Sequence, residues 1–142
     1  MGRDAMRTMR TAAALLLAAP LLSGCTAGET CYDWVVYDSV ERMHADASLV
    51  VAAGRIEPAG TTTWSGVQAN RYDVSGSPVL ADGSIQEIGM QVQVLSTPET
   101  CSGGTYPDGD PMLGAQQVRL YLSEDEDGTL RTLTPHQGVG GP

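Results

Sequence analysis

Ile88-Gly89-Met90-Gln91-Val92-Gln93-Val94 alternates apolar and polar residues without a slip. A period of two sets Ile88, Met90, Val92 and Val94 on one face of a strand and the glutamines on the other. Toward the C-terminus, Gln117–Leu122 repeats the pattern with Val118, Leu120 and Leu122 inward. Ser123 to Thr129 is an acidic turn closed by Asp127-Gly128, a strong hairpin signal, and Leu130–Thr134 is its return strand. Toward the N-terminus, Val67–Val74 carries Tyr72 and Val74 on one face and Arg71 and Asp73 on the other, before Gly76, Pro78 and Asp82-Gly83 break it. Pro58–Gly66 reads as a loop, and the apolar run Leu49–Ala53 as a buried strand rather than more helix. Asp38 with Glu41 three residues on resembles a capping box, and Val40, Met43 and Ala47 keep a helical stripe, so a short helix is expected over about 39–46. Cys31–Tyr37 is a first strand or extended segment. These elements predict a mainly β domain of five or six short strands and one short helix, in a small closed or partly open barrel.

The front of the chain has a different character. Arg3, Arg7 and Arg10 precede an apolar run from Thr11 to Leu22. As a helix, twelve residues rise about 18 Å, short of a hydrocarbon core of about 30 Å. A basic stretch followed by a short apolar one is the pattern of a secretory signal. Leu22-Ser23-Gly24-Cys25 resembles the lipobox of bacterial lipoproteins. That resemblance implies a signal peptide over 1–24, lipid on the Cys25 thiol, a tether over 25–30 and palmitate among the acyl chains. It also implies a membrane-anchored, extracytoplasmic location. The other reading is an ordinary signal peptide cut near Cys25, which leaves a thiol.

Cleavage there removes three arginines and Asp4, leaving five arginines against sixteen carboxylates, a formal charge of −11. Such a surface repels nucleic acid and anionic headgroups. Its 118 residues suffice for one domain, expected over 31–138 with a Gly-rich tail that frays after Pro135, flexible over 139–142. With Cys25 lipidated, Cys31 and Cys101 remain as an even pair in an oxidising compartment and are expected to form a disulfide. Closing the 70-residue loop between them stabilises a fold by roughly 4 kcal/mol, a large share for a chain with no Phe and only two Trp.

The segments ADASLVVAAGRI, NRYDVSGSPVLADG, MQVQVLS, VRLYLSEDEDGTL and PHQG, in that order, look like small bacterial lipoproteins with an OB-like barrel. The outline is similar to the N-terminal domain of tissue inhibitors of metalloproteinases, over residues 31 to 138. The resemblance implies an OB-like fold and, as an alternative function, a protease-inhibitor-like role. The inhibitors chelate a protease zinc with a free N-terminal cysteine. Here Cys25 would be acylated and Cys31 is internal, so that mechanism does not carry over. An Ig-like sandwich is the competing architecture.

No catalytic set converges. His44 and Asp46 form an H-x-D pair and His136 lies far downstream, but no G-x-S-x-G elbow accompanies them. Neither a metal nor a cofactor is expected. Glu124–Gly128 has the look of a calcium loop, yet with Ser123 as position 1 the twelfth position is Thr134 rather than Glu. The long loop Ser102–Gly114 offers Tyr106, Asp108 and Asp110 as candidate ligand-binding residues. Trp64 in TTTWSG is the other candidate, suited to a sugar or peptide, or to packing over an end of the barrel. The expectation is a non-enzymatic binding module whose partner is an envelope protein or a small ligand.

Overall fold

The structure, a computed structural model, describes residues 31–101 and 104–142. The signal segment, Cys25, the tether and Ser102-Gly103 lie outside the described residues. Seven elements follow in order: α1 (Val40–Asp46), β1 (Leu49–Trp64), β2 (Val67–Pro78), β3 (Met90–Leu95), β4 (Val118–Glu124), β5 (Leu130–Thr132) and β6 (Val139–Gly140). β1 pairs antiparallel with β2 on one side and with β4 on the other, so the order β1-β2-β3-β5-β4 closes on itself. β3 and β5 are parallel. The result is a closed five-stranded barrel of OB-like order, with β6 as an extra strand on β4.

Closure buries the inward positions of the alternating strands. Val51, Ala53, Ile56, Tyr72, Val74, Val94, Leu120 and Leu122 fill the interior with Met112 from the 104–117 connection. Gly76 permits the tight crossing of β1 and β2, because a Cβ there would collide with the Ala52 carbonyl oxygen. A smaller cluster of Val50, Val79, Tyr121 and Leu133 lies outside the barrel. There Tyr37, Met43, Ala47 and Ala52 pack, joining α1 to the sheet.

Several expectations need correction. Pro58–Gly66 is not a loop: the threonines and Trp64 continue β1 to sixteen residues, and register shifts at Ala53/Arg55 and Pro58/Thr61 absorb Gly54 and the Pro58–Gly60 stretch. The turn is only Ser65-Gly66, both at positive φ (47° and 81°) as a two-residue hairpin loop demands. The N-cap of α1 is Ser39, whose hydroxyl accepts from Arg42 N, rather than Asp38. Ile88 does not point inward: it is 56% exposed and precedes β3. Cys31–Tyr37 forms no strand and joins no sheet.

The tail does not simply fray. β5 ends at Thr132, which leaves the edge of β4 open at Arg119–Leu120, and Val139–Gly140 pairs with it. Tyr121 N donates to Gly138 O (2.8 Å) beside that pair. The expected disulfide is present: Cys31 and Cys101 are bonded, their Cα atoms 4.8 Å apart. No helix among the described residues is long and apolar enough to cross a membrane.

Candidate functional site

Two of the loop residues singled out as ligand contacts are tied into the barrel. Asp110 Oδ2 accepts from Tyr72 Oη (2.5 Å) and Asn70 Nδ2 (2.7 Å), and Oδ1 accepts from Ser96 Oγ (2.6 Å) and Met112 N (3.0 Å). Four donors saturate a carboxylate, so its oxygens are engaged with the chain itself. Tyr106 Oη donates to Ser96 O (2.7 Å) and accepts from Asn70 N (2.9 Å). Burial, reinforced by donation to Asp110, pushes the Tyr72 hydroxyl far above its ordinary value of 10.0. Burial also raises Tyr106. This knot holds the connection in place and delivers Met112 to the barrel interior. Asp108 is exposed, 3.8 Å from His136 Nδ1.

Trp64 lies elsewhere, in an aromatic cluster that the sequence does not announce. The strap from Cys31 brings Tyr32 and Trp34 onto it, with ring centroids 5.6 and 6.0 Å away. The disulfide fixes the start of the strap, Tyr32 N donates to Thr100 Oγ1 (3.2 Å), and Gln137 bonds both Tyr37 N and Tyr37 O at its far end. Trp64 Nε1 donates to Asp125 Oδ2 (2.9 Å) and Trp34 Nε1 to Glu99 Oε1 (3.3 Å). Arg131, held by Asp125 at 2.9 Å, places its guanidinium 5.2 Å from the Trp64 ring centre and 5.7 Å from that of Trp34. The cluster walls one side of a cavity of about 430 Å³ that Asp125, Glu126 and Asp127 complete.

A second groove of about 450 Å³ lies across the 125–129 hairpin, lined by Thr62, Arg71, Val92, Gln93, Leu95 and the hairpin's Asp127–Leu130. Arg71 is its distinctive member. Among the described residues its Nε is buried with no partner, its Nη2 reaches only Ala59 O at 3.5 Å, and no carboxylate stands within 4 Å of it. In barrels of this strand order the β2–β3 face and the β1–β2 and β4–β5 loops commonly hold ligands. Both cavities belong to that surface.

The remaining sequence candidates are dispersed. His44 stands edge-on to Tyr121 on α1, and His136 bridges Glu99 (3.2 Å) and Asp108. Asp125 is committed to Trp64 and Arg131, and Asp127 Oδ1 accepts from Thr129 N (2.9 Å), which lowers its pKa. Among the described residues no three His, Cys, Asp or Glu side chains converge on a metal position.

Sequence reasoning found Trp64 but missed Tyr32, Trp34, Arg131 and Arg71. The available signal was charge balance, since an arginine is scarce among so many carboxylates and an unpaired one is scarcer. Comparison with known proteins finds no matching family model, no similar curated protein and no similar solved structure.

Proposed function

We propose that the chain is a membrane-anchored, extracytoplasmic lipoprotein whose barrel is a non-enzymatic binding module, with an envelope protein or small ligand as its partner. The Cys31–Cys101 disulfide carries the reading. Such bonds persist in oxidising compartments, and this one uses two of the three cysteines, leaving the Cys25 thiol to take a diacylglyceryl group. Two acyl chains anchor stably where one does not. Five residues separate Cys25 from Cys31, a reach of about 20 Å when extended, so the aromatic strap and its neighbouring grooves would face the space next to the bilayer. The acidic surface argues against nucleic acid as a partner.

Metabolic labelling with an alkynyl palmitate analogue tests this reading. The wild-type chain is expected to take up label and fractionate with membranes, and Cys25→Ala to lose both properties. An unlabelled wild-type chain, or a Cys25→Ala chain held as firmly in the envelope, contradicts it.

A further inference from the structure

β3 and β4 each extend past β5, and the fold treats the two exposed edges differently. Val139–Gly140 covers the edge of β4. β3 meets β5 only at Val94↔Leu130 and Leu95↔Arg131. Continuing that register would set Gln93 against Thr129 and Val92 against Gly128, but there the chain turns through the 125–129 hairpin, closed by Asp125 N→Thr129 O (2.9 Å). Among the described residues no strand lies beside Met90–Gln93 on that side. An uncovered edge presents alternating N–H and C=O groups, a template for another extended chain. The 450 Å³ groove opens along this edge, with Val92 and Gln93 on one wall and Asp127, Gly128 and Thr129 on the other; the Asp127 carboxylate accepts from Thr129 N within its own turn.

Arg71 lines the same groove, opposite Leu95 in the β2–β3 register. A guanidinium carries five N–H donors in a planar fork, and among the described residues this one has a single long bond to spend them on. With carboxylates so abundant in the chain, folding alone had ample means to pair it. The fork matches a carboxylate in two parallel bonds. Gln93 Nε2, whose contact to Asp73 is 3.4 Å, adds a donor on the exposed face of β3.

We infer that the groove between β3 and the 125–129 hairpin binds an extended peptide segment of a partner protein, paired along Met90–Gln93 and delivering a carboxylate to Arg71. The open backbone edge favours a peptide over a sugar, which has no amide ladder to offer it. The unpaired arginine selects an acidic one. This rests on the binding-module reading and specifies the occupant of its site. A failure here leaves the lipid anchor and the aromatic cavity untouched, whereas loss of palmitate labelling would leave the groove untouched.

A random heptapeptide display library selected on the full-length protein tests the inference. The expected result is enrichment of Asp or Glu at one fixed position. The selected peptide should weaken roughly ten- to a hundredfold when that acid is changed to its amide, and similarly against Arg71→Met. N-methylation at alternate backbone nitrogens should abolish binding in one of the two phases. Circular dichroism and a thermal melt establish that Arg71→Met is folded, and the amide peptide carries the same test on the unaltered protein. Absence of enrichment, enrichment without an acid, or unchanged affinity for the amide or N-methylated peptides would overturn the inference.

Discussion

Two polar regions of this barrel contrast sharply. Around Asp110, both oxygens have found donors within the chain: one tyrosine, an asparagine, a serine and the Met112 amide converge on one carboxylate, and Tyr106 ties the same Asn70 and Ser96 together through their backbones. Around Arg71, a charged group at least as demanding is left almost unserved by the described residues. A saturated buried network holds a fold together, while an unsatisfied group on a groove wall holds out chemistry to something else. Position on a long loop, the reason for singling out Tyr106 and Asp110, does not separate these cases; the partners do.

The contrast can be broken from either side, and the largest effect belongs to the knot. Asp110→Ala strands Tyr72, Asn70 and Ser96 and is expected to cost roughly 3–5 kcal/mol in urea unfolding; a loss under 1 kcal/mol would show the loop to be held by other contacts. Cys101→Ser is expected to cost about 2–4 kcal/mol by freeing a 70-residue loop, and to loosen the strap that carries Tyr32 and Trp34. Trp64→Ala removes one member of a half-exposed cluster and should cost about 2 kcal/mol, with Trp34 emission shifting to the red; an unshifted spectrum would argue against the stacked pair.

A pH profile sharpens the picture further. In the folded state the Tyr72 hydroxyl titrates far above 10.0, because burial and the bond to Asp110 disfavour its ionised form. Unfolded tyrosine ionises near its ordinary value, so the unfolded state gains from deprotonation first. Stability is therefore intact below pH 10 and declines progressively above it. Thermal melts from pH 8 to 12 should show that decline, and Tyr72→Phe should lessen it, leaving the part that the raised Tyr106 contributes.

Strands whose inward and outward faces differ were legible in the sequence, because one-sided burial writes a period of two into Met90–Val94, Val118–Leu122 and Arg71–Val74. Half of β1 was not. Pro58 and Gly60 look like loop residues, and only the tertiary pairing with β2 turns Thr61–Trp64 into strand through a bulge. Ser65-Gly66, the true turn, carried a dipeptide signal that the surrounding Pro and Gly masked. The barrel's partner-dependent features left no periodic trace: pairing of Val139–Gly140 depends on where β5 stops, and the aromatic cluster joins residues 32, 34, 64 and 131 across four segments. The disulfide was readable from parity alone once secretion was granted.

The smallest expected effect is also the most direct measurement of the contrast. Arg71→Met retains the aliphatic stem and deletes only the guanidinium, and its urea unfolding free energy should lie within about 0.5 kcal/mol of the wild type. A loss of 2 kcal/mol or more, comparable to that of Asp110→Ala, would mean that Arg71 is a structural member of the fold and that the groove holds nothing in reserve for a partner.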